Sequence, residues 1–66
     1  MHVTINGERR ELVDGARVTD ALGLLGAPSK GVAVAVDGAV VPRAAWAVTV
    51  LTEGAQVEVL TAVQGG

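Results

Sequence analysis

A chain of 66 residues without cysteine can hold one domain at most, and it can form no disulfide, thiolate nucleophile or thiolate metal site. Half of its residues are hydrophobic, with one Trp and no Phe or Tyr, so its core must be aliphatic. Five basic against seven acidic side chains, a formal charge of −2, no basic stripe and almost no aromatics argue against nucleic-acid binding, and no apolar run approaches the roughly 20 residues of a membrane span.

The chain opens with "MHVTIN", in which Met1, Val3 and Ile5 alternate with His2, Thr4 and Asn6. That is the period of a strand with one buried face. The continuation "MHVTINGERR" runs into charges and is unlike a signal peptide, so the expected location is cytoplasmic. "NG" at 6–7 is a hairpin turn signal, because both positions tolerate positive φ. "RRELV" returns as a second strand with Leu12 inward, and "DG" at 14–15 ends it.

In "RVTDALGLLG" the residues Val18, Ala21, Leu22 and Leu25 fall at helical spacing. Thr19 is a candidate N-cap, with a start one turn earlier as the alternative, and Gly26 followed by Pro28 marks the C-terminal stop. Gly23 inside this helix costs about 1 kcal/mol against alanine, so packing must hold the helix together.

"VAVAV" at 32–36 is a strand with Val32, Val34 and Val36 on one side and Ala33 and Ala35 on the other. "DG" at 37–38 is a second hairpin signal, and "AVV" at 39–41 is a strand cut short by Pro42. "RAAWAVTVL" predicts a short turn near Ala44–Trp46 and then extended chain; "EG" at 53–54 is a turn. "QVEVLTAV" is the last strand, with Val57 and Val59 inward and Glu58 and Leu60 outward.

The predicted order is β-β-α-β-β-β. A long path from the first strand through the helix suits a crossover that leaves the first and last strands parallel at the sheet centre. The expected fold class is α+β: a β-grasp, or ubiquitin-like, mixed sheet of four to five strands with one main helix on one face. Residues 1–61 form the domain, and residues 62–66 form a flexible tail ending in Gly65 and Gly66.

The side chains carry little chemistry. His2 is the single histidine and reads as a solvated strand residue, and no second His or Cys completes a metal site. Ser29 is the single serine and has no base to activate it. The carboxylates are dispersed, and the glycines form neither a phosphate loop nor a dinucleotide fingerprint. One reactive group is left, the carboxylate of Gly66, which ionises with a reference pKa of about 3.3–3.7. Two glycines without Cβ can thread a narrow channel and bring that carboxylate close to a nucleotide. A frayed or appended end is the other reading of the same two residues.

"NGE" at 6–8, "V-VDG" at 34–38, "VPR" at 41–43, Trp46, Leu51, Gly54, "VE" at 57–58 and "AVQGG" at 62–66 together resemble the ThiS family of sulfur carriers in thiamine biosynthesis. The resemblance spans the chain, with "VPR--W" and the terminal "AV-GG" its most specific parts. Gln64 stands where small or varied residues are expected, and "ARVTDALGLLG" matches loosely.

The resemblance implies a carrier and not an enzyme. An E1-like adenylating enzyme (ThiF-like) would activate the Gly66 carboxylate. A sulfur donor protein would supply persulfide sulfur, leaving a thiocarboxylate on Gly66. Thiazole synthase (ThiG-like) would take the sulfur for the thiazole ring. ATP and Mg²⁺ would belong to the activating partner, so no cofactor or metal is expected on this chain. A carrier for molybdopterin or another pathway, a ubiquitin-like protein modifier, and a plain β-grasp binding module are the alternatives. The chain has one lysine, Lys30, which restricts self-built polymer chains for a modifier.

Three further residues carry expectations. Trp46 reads as core or as a lid over it, with a partner-facing anchor as the alternative; Pro42 and Arg43 read as a structural turn, with a docking loop as the alternative. Leu60 points away from the core beside Ala33 and Ala35, and an exposed apolar patch there would suit a partner that grips the base of the tail.

Overall fold

The computed structural model describes residues 1–27 and 30–61. The expected tail at 62–66, with Gln64, Gly65 and Gly66, lies outside the described residues, as do Pro28 and Ser29. Strands β1 (His2–Ile5) and β2 (Glu8–Glu11) form an antiparallel hairpin, followed by helix α1 (Val18–Leu25). Strands β3 (Val32–Val36) and β4 (Ala39–Val41) form a second hairpin, followed by a 3-10 turn (Arg43–Ala45) and strand β5 (Gln56–Thr61). The five strands lie in the order β2-β1-β5-β3-β4.

β1 and β5 are parallel at the centre, and every other pairing is antiparallel. This is the β-grasp arrangement expected from the element order. The two hairpins turn where the sequence places Asn-Gly and Asp-Gly: Asn6 and Asp37 both take φ 51°, followed by Gly7 at 82° and Gly38 at 84°. These positive angles are open to Asn, Asp and Gly at low cost, and their twist matches that of the strands.

Strand alternation then builds the core. Val3 and Ile5 of β1, Val57 and Val59 of β5 and Val34 of β3 point to the face that α1 covers with Val18, Ala21 and Leu22. Leu12, Leu25, Val32 and Val36 pack half-buried around this cluster. Met1 joins the same margin, as its place in the alternation required. Trp46 is 7% exposed, and its indole Nε1–H donates to the Val41 carbonyl at 2.9 Å, so the single large side chain belongs to the core as expected. No buried polar or charged side chain occurs among the described residues.

Three local expectations need correction. Thr19 is not the N-cap: the cap is Arg17, whose N–H donates to Asp20 Oδ2 at 2.7 Å, and exposed Thr19 sits within the first turn. An arginine side chain has no acceptor, so the carboxylate three residues on does the capping from inside the helix. The segment after Trp46 is not extended. Val48 N–H (3.1 Å) and Thr49 Oγ1–H (2.7 Å) both donate to the Ala45 carbonyl, continuing the turn, and pairing resumes only at a single bridge between Val50 and Arg17. His2 is half-buried and not fully solvated, while its N–H donates to Glu53 Oε2 at 2.9 Å.

The C-terminal stop of α1 is as predicted. Gly26 takes φ 65°, its N–H reaches the Gly23 carbonyl at 3.1 Å, and Ala27 N–H reaches that of Leu22 at 3.1 Å.

Candidate functional site

The face of the sheet away from α1 has no layer over it among the described residues. On β5 the alternation that buries Val57 and Val59 turns Glu58 and Leu60 to this open face. On β3 the same alternation presents Ala33 and Ala35. The antiparallel register sets Ala33 directly opposite Leu60, and Ala35 opposite Glu58 on one side and Val40 on the other. Sequence reasoning named Leu60, Ala33 and Ala35, and the fold brings all three together.

It also adds Val40, which the sequence placed in a truncated strand without a role. Val40 is 77% exposed and Leu60 66% exposed, while Ala35 is half-buried between its neighbours. These residues and Glu58 line a shallow depression that is apolar apart from the one carboxylate. The signal for Val40 was available: it lies two residues past the Asp-Gly turn, in register with Ala35, once the hairpin pairing is known.

The small side chains make this surface. Two alanines on β3 leave the flanks of Leu60 uncovered, so its isobutyl group stands out as a knob with a hollow beside it. Val13, Leu24, Val48 and Val50 are exposed elsewhere, so what sets Leu60 and Val40 apart is that they adjoin Ala33 and Ala35 in one contiguous apolar patch. A second shallow depression, lined by Gly31, Val32, Ala33, Leu60 and Thr61, adjoins the first at the end of β5. Leu60 therefore borders both, one residue before the last described residue of β5.

Nothing in the described site supplies reaction chemistry of its own. Among the described residues no group of three His, Cys, Asp or Glu side chains is placed to hold a metal ion. Glu58 is the one ionisable group in the depression, and it is exposed. The arrangement presents a contiguous apolar surface along β3 and the end of β5. No helix among the described residues is long and apolar enough to cross a membrane.

The ThiS family model matches residues 3–66, a span that includes Gly65 and Gly66. A crystal structure of the thiamine biosynthesis protein ThiS from Geobacter metallireducens is 32% identical, with a TM-score of 0.83 over 100% of both chains. A solution NMR structure of a thiamine biosynthesis protein from the same organism is 37% identical, with a TM-score of 0.75 over 100% of this chain and 88% of that one. No curated protein matches the chain. A family match across nearly the whole sequence, together with a shared fold at more than 30% identity, places the chain in the ThiS family.

Proposed function

We propose that the protein is a sulfur carrier for thiazole formation in thiamine biosynthesis, and that it acts as a protein substrate without catalysing a step itself. The observation that carries this reading is the match of residues 3–66, diglycine included, to the ThiS family. The reactive group is the Gly66 carboxylate. Attack of its oxygen on the α-phosphorus of ATP, within an E1-like adenylating enzyme, expels pyrophosphate and gives an acyl-adenylate. The terminal sulfur of a protein persulfide then attacks the acyl carbon and AMP leaves. Reduction of the resulting acyl disulfide by a thiol frees the thiocarboxylate, which thiazole synthase consumes. ATP and Mg²⁺ belong to the activating enzyme.

Gly65 and Gln64 lead the carboxylate into the partner's active site, and a residue without Cβ at 65 permits close approach to the nucleotide. The patch formed by Leu60, Ala33 and Ala35, with Val40, is the docking surface that holds this tail in reach. Burying Leu60 on a partner contributes roughly 1.5–3 kcal/mol.

Intact mass after incubation with the cognate adenylating enzyme, ATP and a persulfide donor tests the reading. Replacement of one oxygen by sulfur, absent from a chain lacking Gly66, is the expected result. An unchanged mass, with the enzyme active on another carrier, refutes it. A ladder of larger conjugates indicates a protein modifier instead. Leu60→Asp tests the patch: stability should change by no more than about 0.5 kcal/mol, because the side chain is exposed, while activation is lost. Normal thiolation of this variant sinks the docking role.

A further inference from the structure

The central parallel pair is short. β1 meets β5 only at Thr4–Gln56 and Ile5–Val57. Thr4 N–H donates to the Ala55 carbonyl at 2.9 Å and Asn6 N–H to the Val57 carbonyl at 2.9 Å, the alternate rungs of a parallel ladder. The next rung, by the same step of two, would join residue 8 to Val59. But the backbone turns away at Asn6 and Gly7, with φ 51° and 82°, and Glu8 pairs back onto Ile5.

The side chain of Asn6 takes the place of the missing peptide group. Val59 N–H donates to Asn6 Oδ1 at 2.8 Å, and Asn6 Nδ2–H donates to the Val59 carbonyl at 3.1 Å. Only this orientation of the carboxamide satisfies both backbone groups. On the other flank β3 supports the strand as far as Thr61, which faces Val32. Val59 is thus held from both sides after β1 has left, and Leu60 follows it directly.

The turn does not require this residue. Asn, Asp and Gly all serve at a positive-φ hairpin position. Of the three, only Asn carries both a donor and an acceptor that can replace a peptide unit. We infer that Asn6 is a positioning residue for activation. Its carboxamide clip fixes the end of β5, and so fixes the direction in which Leu60 and the chain beyond it are presented to the adenylating enzyme. This inference rests on the sulfur-carrier reading. Without the clip the end of β5 would be held by β3 alone and would open more often, and the partner would have to order that segment at each encounter, which weakens binding without altering the chemistry that follows.

The test uses the full chain and the variants Asn6→Gly and Asn6→Asp. Asn6→Gly keeps the turn and removes the clip. Asn6→Asp keeps the turn and the acceptor for Val59 N–H, but sets a carboxylate oxygen against the Val59 carbonyl. Amide hydrogen exchange on the free proteins and steady-state kinetics of ATP-dependent activation are both measured. In Asn6→Gly, Val59 should exchange at least about tenfold faster relative to Val34, and KM for the carrier should rise about fivefold or more with kcat within about twofold. Asn6→Asp should fall between this variant and the parent chain, and it carries the test if Asn6→Gly does not fold. Unchanged Val59 exchange overturns the clip. Faster exchange with unchanged KM overturns the positioning role and leaves a purely structural one. Absence of activation in the parent chain refutes the carrier reading and the positioning role with it, while Val59 exchange still decides whether the clip exists.

Discussion

Asn6 and Asp37 hold the same place in the two hairpin turns, each at φ 51° and each followed by a glycine, and each sends its side chain to β5. Asp37 accepts from Gln56 N–H at 2.9 Å at the start of that strand, and Asn6 grips Val59 near its end. Turn residues therefore serve twice, as backbone hinges and as clamps on the strand that leads to the diglycine. Asp37→Gly should keep the turn and cost about 1 kcal/mol for the lost hydrogen bond. Asp37→Ala should cost roughly 1–2 kcal/mol more, because alanine is strained at positive φ. Denaturant titration followed by Trp46 fluorescence checks both, since that indole is the only one in the chain. Trp46→Phe removes packing volume and leaves the Val41 carbonyl without its indole donor, so a loss of about 2 kcal/mol is expected by circular dichroism.

α1 is eight residues long, too short to persist alone, and it is held by the side chains it buries. Its Gly23 is exposed, has ordinary helical backbone angles and has open space where a Cβ would stand. Gly23→Ala should therefore stabilise the protein by about 0.5–1 kcal/mol, read as a raised denaturation midpoint with an unchanged m-value. At the N-terminus of the helix two variants separate the predicted cap from the observed one. Thr19→Ala should be neutral within about 0.5 kcal/mol, whereas Asp20→Ala should cost about 1 kcal/mol, because Asp20 accepts from the Arg17 N–H. Equal losses in the two would contradict the capping described. The sequence signal at Thr19 was sound as a residue preference. It failed because the bridge between Arg17 and Val50 and the bond from Val18 N–H to the Thr49 carbonyl (3.1 Å) pull the helix start back to Val18.

For the whole molecule, stability comes from aliphatic burial and the sheet ladder, with little from charge. Among the described residues two ion pairs occur, the Met1 ammonium with Asp14 at 3.3 Å and Arg10 with Glu8 at 4.0 Å, and the carboxylate is exposed in each. Such a pair contributes about 0–1 kcal/mol and is screened by salt. Raising ionic strength from low to roughly 0.5 M should shift the unfolding free energy by less than about 1 kcal/mol. The salt response of partner binding is a separate measurement. The proposed docking patch of Leu60, Ala33, Ala35 and Val40 is apolar at its centre, so affinity that falls steeply with salt would point to another surface.

Much of the fold was legible in the residues. Period-two alternation in 1–5, 32–36 and 56–60, Asn-Gly and Asp-Gly turns, and helical spacing of Val18, Ala21 and Leu22 are local consequences of backbone geometry, and they named the five strands and the helix. The outward placement of Leu60, Ala33 and Ala35 followed from the same alternation, and the diglycine is plain in the sequence. Register was not local. The pairing of Ala33 with Leu60 and the clip from Asn6 to Val59 join residues 27 and 53 positions apart. A side-chain amide 53 residues away carries no period and no composition signal, and which backbone group it meets is decided only when the central strands come together in parallel.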